Sequence, residues 1–278
     1  MSKPNVWFIT GSSRGLGRSL TEVVLKKGDY VIATARNPQS LNDLVEQYGE
    51  QIHPLALDVS DEQAVSAAVE QAHQVFGRLD VVVNNAGYGD VASVEDVTLD
   101  DFRAQIDTNF YGVVYVSKAV VPILRKQGGG HIIQISSVGG RIATMGLAAY
   151  QSAKWAVGGF SEVLAQEVAP FGIKVTVIEP GGMRTDWAGS SMTIPPISQP
   201  YEQTIGALAT MLQEHSGQFG SEPEKFAEVI SELALLPEAP LRLLLGQDAV
   251  DNADAAQQAR AATDAKWRQV SETVNFSS

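Results

Sequence analysis

Short β-rich runs alternate with longer stretches of helical period from residue 6 to residue 180, and no other feature of the chain restricts its fold as much. "VWFIT" (6–10), "YVIATA" (30–35), "IHPLALD" (52–58), "LDVVVNNAG" (79–87), "HIIQISS" (131–137) and "IKVTVIEP" (173–180) are the strand candidates. In the first intervening segment, "GLGRSLTEVVLKKG" (15–28), Leu16, Leu20, Val23 and Val24 share a helical face and Gly28 is placed to end the helix. Neighbouring parallel strands need long crossovers, so strands alternating with helices imply a parallel sheet covered on both faces. Further helices are expected at about 39–48, from a Ser60/Gln63 capping box, and at about 100–127 and 150–169. Pro122 falls inside the helix at 100–127, where its missing N–H can kink or end it.

Beyond residue 181 the alternation stops. "GGMRTDWAGSSMTIPPISQP" predicts a long loop, followed by helices at about 201–215 and 222–236 and a last strand in "LRLLLG" (241–246). Residues 186–220, with Trp187, Met192, Ile194, Pro195, Pro196 and Tyr201, are expected to form an apolar lid over a substrate, and residues 248–278 a C-terminal helical segment or tail.

A net charge of −12 argues against a nucleic-acid or anionic-membrane partner, because both need positive surface potential. Any polyanionic ligand must therefore meet local cations. The absence of cysteine excludes disulfides, thiolate metal sites and a cysteine nucleophile, and the four histidines show no metal-ligand spacing, so no metal is expected. There is no apolar run of about 18 residues, and "MSKPN" leads almost directly into a strand without the parts of a signal peptide, so a cytoplasmic protein is expected.

"TGSSRGLG" (10–17) lies between the first strand and the first helix, where a dinucleotide's pyrophosphate is held. Gly11 permits a tight turn, Gly15 lets backbone approach the phosphates, and Gly17 lets the helix pack closely on the sheet. The end of the second strand, where an acidic residue would bind the ribose hydroxyls of NAD, carries Ala35 and Arg36, and Arg14 lies inside the glycine turn. Two guanidinium forks suit a 2′-phosphate and predict NADP(H).

In "AAYQSAKWAV" (148–157) Tyr150 and Lys154 are four residues apart on one helix face, at the carboxyl edge of the sheet. A free phenol, with a pKa of about 10, transfers protons poorly at neutrality, and a neighbouring ammonium is expected to lower that value. Ser137 ends "QISS" at another strand's carboxyl end, where its hydroxyl can bond a carbonyl oxygen or simply cap the strand. Asn109, in "DTNFYG", can bend its helix or hold a water.

Taken in order, "TGSSRGLG", "LDV" (57–59), "NNAG" (84–87), Asn109, Ser137, Tyr150, Lys154 and "EPGGMRT" (179–185) give the chain a resemblance to the short-chain dehydrogenase/reductases, over about residues 5–186. The resemblance implies a single doubly wound Rossmann-type α/β domain over 1–278 with a mostly parallel seven-stranded sheet. It implies a catalytic tetrad of Asn109, Ser137, Tyr150 and Lys154. Ser13, Leu16 and Val59 would join the glycine turn at the cofactor, with Asp58 toward the adenine, Asn85, Ala86 and Gly87 along the adenosine ribose, and Pro180, Gly181, Met183 and Thr185 at the nicotinamide end. Tyr150 would donate a proton to a ketone held by Ser137 while hydride arrives from NADPH, Lys154 would lower the Tyr150 pKa and bind the nicotinamide ribose, and Asn109 would support a water leading to the lysine.

The expected substrate is a small apolar carbonyl compound, and "EPGGMRTDW" with the long C-terminal segment is similar to the hydroxysteroid dehydrogenase branch of that family. An acyl-thioester ketone is the alternative substrate, and an NADP-sensing regulator of incidental turnover the alternative function. Pairing through the helices at 100–127 and 150–169 would give a homodimer or homotetramer.

Overall fold

A computed structural model describes residues 3–185, 192–214 and 220–274. Seven strands, β1 (Val6–Ile9), β2 (Tyr30–Ala35), β3 (Ile52–Ala56), β4 (Val81–Asn84), β5 (Gly130–Ile135), β6 (Ile173–Pro180) and β7 (Arg242–Leu245), form one sheet in the order β3-β2-β1-β4-β5-β6-β7. Every pairing is parallel. The helices are α1 (Gly15–Lys26), α2 (Asn42–Tyr48), α3 (Glu62–Phe76), α4 (Leu99–Ile106), α5 (Gly112–Gln127), α6 (Ala148–Val168), α7 (Ala207–Glu214), α8 (Pro223–Leu233) and α9 (Gln247–Glu272).

Strand period 2 divides the core in two. Trp7, Ile9, Val31 and Ala33 point to a layer closed by α1 and α8, whereas Val6, Phe8 and Ile32 point to one closed by α3, α5 and α6. Both faces of β1 are therefore buried, which explains its unbroken apolar sequence.

Two local expectations change, at Ser60 and at Pro122. α3 is capped by Asp61, whose carboxylate accepts from Gln63 and Ala64 N–H at 2.9 and 3.0 Å, because Ser60 is engaged with Asp58 instead. Pro122 does not end α5, which runs on to Gln127: Pro122 and Lys118 are exposed, so water can satisfy the Lys118 carbonyl that Pro122 leaves without a donor. The irregularity in the 100–127 stretch falls earlier, where the π-helical turn Asp107–Tyr111 joins α4 to α5. The C-terminal segment is one long helix, α9, with only Ala249 and Ala253 buried. In the expected lid, 186–191, including Trp187, and 215–219 lie outside the described residues.

Candidate functional site

A cleft of about 710 Å³ lies along the carboxyl edge of the sheet, lined by the segments that leave β1, β4, β5 and β6. The strand order reverses between β1 and β4, so the crossovers there diverge and leave an opening.

One end of the cleft is shaped by main chain. Gly11 and Gly15 take φ values of 69° and 55°, in the left-handed region that glycine enters without penalty. A Cβ on Gly11 would stand 2.9 Å from Ala86 Cα, and one on Gly17 would collide with Gly11 O and the Asn85 amide. Thr10 Oγ1 accepts from the N–H groups of Asn85 and Ala86 at 2.9 and 3.0 Å, while Asn85 Nδ2 donates to Thr10 O and Gly11 O at 2.9 and 3.1 Å. The segment after β4 thus holds the glycine turn in shape. α1 starts with no side-chain cap and no acidic residue in its first turn, so its leading N–H groups have no competing anion.

Arg14 and Arg36 line this end, both exposed and with guanidiniums that make no hydrogen bond or ion pair among the described residues. The Asp58 carboxyl is held below its usual range, first by the Ser60 hydroxyl at 2.7 Å, against partial burial, with the Ser60 N–H and the field of Arg36 adding to the effect. Free N–H groups, two unpaired guanidiniums and a turn that excludes Cβ atoms form a donor set that fits the phosphates of a dinucleotide.

At the other end, chemistry-bearing side chains meet. Lys154 Nζ lies 5.6 Å from the centroid of the Tyr150 ring and donates to Ile135 O at 2.8 Å. Ser137 follows β5, accepts the Gly139 N–H at 3.0 Å to open the short turn Val138–Gly140, and is hydrogen-bonded to Tyr150. Burial pushes the Tyr150 phenol up to about 12, with the Ser137 bond opposing, and pushes Lys154 down to about 8. The expected acidic phenol is therefore not a property of the chain alone: desolvation disfavours the phenolate and also drives the lysine toward neutrality.

Asn109 is fully buried on the π-helical turn. Its Nδ2 donates to Tyr88 O and Gln105 O, both at 2.8 Å, and its Oδ1 accepts from Tyr88 N–H at 3.1 Å. With both amide hydrogens taken, it can offer a water only an acceptor, a spare lone pair on Oδ1 or its main-chain carbonyl. Gly87 separates it from the lysine: a Cβ there would be 2.5 Å from Asn109 Oδ1 and 3.6 Å from Lys154 Nζ.

Of the residues expected at the site, Gly11, Ser13, Arg14, Gly15, Leu16, Arg36, Asp58, Val59, Asn85, Ala86, Gly87, Ser137, Tyr150, Lys154, Pro180, Gly181, Met183 and Thr185 line the cleft, whereas Gly17 and Asn109 stand behind its wall. Sequence reasoning missed Tyr88, Ile142, Thr144, Leu147 and Gln151, which also line it, whereas the lining residues Thr193 and Leu212 fall within the segment expected to border a substrate. Only Tyr88 and Gln151, next to "NNAG" and Tyr150, carried a positional signal. Met192, Ile194 and Tyr201 of the expected lid pack with Val91, Leu147, Ile205 and Ala209 in a small core of their own.

A family model described as short chain dehydrogenase matches residues 5–193. Oxidoreductase BOA17 of Botryotinia fuckeliana is 58% identical over 96% of this chain and 97% of its own length. A 3-ketodihydrosphingosine reductase of Bacteroides thetaiotaomicron is 34% identical over 88% of each chain. A solved short-chain dehydrogenase from Streptomyces avermitilis, 34% identical, covers 99% of this chain and 100% of its own with a TM-score of 0.92. An alcohol dehydrogenase from Thermococcus sibiricus, solved with 5-hydroxy-NADP, gives a TM-score of 0.72 at 25% identity over 88% of this chain and 97% of that one. A 3-ketoacyl-(acyl-carrier-protein) reductase from Brucella melitensis, solved with NADH, gives 0.73 at 25% identity over 87% and 96%.

Proposed function

The chain belongs to the short-chain dehydrogenase/reductase family, and from that premise we propose that it is an NADP(H)-dependent oxidoreductase moving hydride between the nicotinamide and an apolar ketone or secondary alcohol. The observation that carries this reading is that Ser137, Tyr150 and Lys154, the lysine one helical turn on from the tyrosine, meet in the wall of a cleft whose far end holds two unpaired arginines.

When bound, the nicotinamide cofactor supplies or takes up the hydride. Ser137 Oγ and the Tyr150 hydroxyl together bond the substrate oxygen and stabilise the charge that develops on it. A phenol pushed up to about 12 is protonated at neutral pH but is a weaker acid than free tyrosine, so proton donation in ketone reduction depends on the Lys154 ammonium, and on the charge of the oxidised nicotinamide when bound, to favour the phenolate. Lys154, anchored on Ile135 O, holds a proton beside the phenol and would bind a ribose hydroxyl of the cofactor, and Asn109 would offer an acceptor to a water leading to that lysine. NADP(H) is preferred because Arg14 and Arg36 are free to take the 2′-phosphate, with Gly11, Gly15 and the start of α1 at the pyrophosphate.

Ile142, Leu147, Met183 and Leu212 support an apolar substrate, and among the described lining residues the only cations are Arg14, Arg36 and Lys154. The Bacteroides relative, by its name a reductase of 3-ketodihydrosphingosine, supports a keto substrate. An acyl thioester on an acidic carrier protein would want a patch of exposed cations beside the substrate end, whereas the only cation in the described lining there is the buried Lys154. We read residues 1–278 as one domain, with 186–220 bordering the substrate, in a cytoplasmic homodimer or homotetramer. Exposed Tyr111, Trp155 and Val163, on the π-helical turn and α6, supply apolar surface for that pairing, and mass in solution tests it.

Tyr150→Phe is the direct test. NADPH oxidation over a panel of apolar ketones is expected to fall about 100- to 10,000-fold while NADPH binding persists. Turnover equal to that of the unaltered protein would remove the phenol from the mechanism.

A further inference from the structure

Just outside the cleft lies a fully buried carboxylate that the chemistry above does not use. Glu179, in β6, directly precedes Pro180 and is 0% exposed. Its Oε2 accepts from Arg141 Nε and Nη2 at 2.7 and 2.6 Å, and its Oε1 from Arg242 Nε at 3.0 Å and from Arg242 Nη2. Arg242 Nη1 reaches on to Glu162 Oε1 at 2.7 Å. The Arg242 guanidinium lies against α6 where Gly158 leaves room, since a Cβ there would be 2.9 Å from Nη2.

Two carboxylates and two guanidiniums make this cluster neutral and satisfied. Burying such charges costs several kcal/mol each before pairing, and well-packed apolar residues would often be as stable, so stability is a weak reason for the cluster. What it connects is more informative. Arg141 lies four residues after Ser137, Glu179 precedes the cleft residues Pro180 and Gly181, and Glu162 and Gly158 belong to the helix that carries Tyr150 and Lys154. The main chain of Arg141 is fastened as well: Arg260 of α9 donates from Nη1 to Arg141 O at 2.8 Å and sits 5.5 Å over the ring of Trp155 in α6.

We propose that Arg141 is a positioning residue, which through Glu179 holds the Ser137 loop against the end of β6 and so sets the Ser137 hydroxyl against Tyr150. The proposal rests on the oxidoreductase reading for its kinetic consequence. A planar fork bonding through two nitrogens fixes direction as well as distance, which a lysine ammonium cannot reproduce.

The experiment compares Arg141→Gln, Arg141→Lys and the unaltered full-length chain, by steady-state kinetics on apolar ketones and by hydrogen exchange with NADP+ present. Arg141→Gln is expected to lower kcat about 10- to 100-fold with NADPH affinity within about twofold, and Arg141→Lys to fall between the two proteins. Exchange in peptides covering 136–144 should quicken by about fivefold or more while β1–α1 peptides keep their rate. Unchanged kcat with unchanged exchange overturns the proposal, as does a loss of kcat matched by an equal loss of NADPH affinity. Should Arg141→Gln fail to fold, Arg260→Ala removes the outer latch without leaving Glu179 short of a partner. It must shift both readouts in the same direction by a smaller factor, and no shift overturns the proposal. An unaltered protein inert on every ketone sinks the oxidoreductase reading, whereas the exchange rates still decide whether Arg141 holds the loop.

Discussion

The two ends of the cleft are built from different materials. The end that suits a dinucleotide is main chain pressed on main chain: Gly11 against Ala86, Gly17 against Gly11 O, with Thr10 and Asn85 bonded across. The opposite end is walled by side chains from distant stretches, among them Tyr88, Leu147 and Leu212, and is fastened by polar bonds such as Asp90 to the Thr193 N–H at 2.7 Å. Backbone contacts cannot relax by a rotamer change, whereas side-chain walls can. The first end should therefore tolerate almost no substitution, and the second should absorb change as altered substrate preference.

Paired glycine variants give the largest contrast. Gly17→Ala forces a methyl into Gly11 O and should lower stability by about 3 kcal/mol or more and abolish NADPH binding. Gly146→Ala, at φ 80° with Val91 Cγ1 3.0 Å from the new Cβ, meets side chains that can yield and should cost about 1 kcal/mol with NADPH binding intact. Thermal unfolding with and without NADPH measures both, and equal costs would erase the distinction between the ends.

Next in size is a pH effect at the buried lysine. Lys154 is pushed down to about 8, below its ordinary 10.5, so below pH 8 it is charged in both the folded and unfolded states and the burial penalty is fully present. As pH rises from 8 toward 10.5 the folded state has shed a proton that the unfolded state keeps, so stability rises with pH. Tyr150, pushed up to about 12, acts oppositely only above its ordinary value of 10. Urea denaturation between pH 8 and 10 should show the unaltered chain gaining about 2 kcal/mol on Lys154→Met. A constant gap would mean that the ammonium is not desolvated.

Arg36 sharpens the comparison from the cofactor side. Arg36→Ala removes one charged hydrogen-bonding partner from a phosphate and should weaken NADPH about 10-fold, or about 1.5 kcal/mol, with NADH affinity unchanged. Parallel titration with the two nucleotides decides it, and equal weakening would place Arg36 at a phosphate common to both.

The same contrast governs what the sequence disclosed. Gly11, Gly15 and Gly17 were legible because only glycine meets those conformations and approaches, and the alternation of strands was legible because a sheet buried on both faces admits little else. Tyr150 and Lys154 showed through helical spacing. The π-helical turn at Asn109 showed only as a bend that an asparagine in mid-helix can make, since a wider turn needs no special residue. The Asp61 cap was missed because Ser60 and Asp58 satisfy each other first. The Glu179 cluster draws its partners from positions 141, 162 and 242, a proximity that only the folded sheet creates. Met192 and Ile194 had the composition of a substrate wall, yet apolar side chains carry no mark of whether they face a ligand or Val91.

The smallest effect belongs to the fastening of the substrate wall. Tyr201 donates its hydroxyl to Glu95 at 3.0 Å in an exposed position, and that bond, with the charge behind it, raises the phenol's pKa above its ordinary value of 10.0. Residues 193 and 198 are also tied to the 90–96 stretch, through Asp90 and Asp96 and through the Val91 N–H to Thr193 O at 3.2 Å, so among the described residues the latch is shared among at least four bonds. Tyr201→Phe should then shift the melting temperature by less than about 2 °C at neutral pH. A raised folded-state pKa stabilises below the unfolded value and loses that stability as pH rises, so the difference should vanish above pH 10 and then reverse. Because the wall borders the substrate and not the phosphates, KM for an apolar ketone should rise by no more than about threefold with KM for NADPH constant. A change in KM for NADPH alone would show that the two ends are coupled through the wall and that their separate construction does not make them independent.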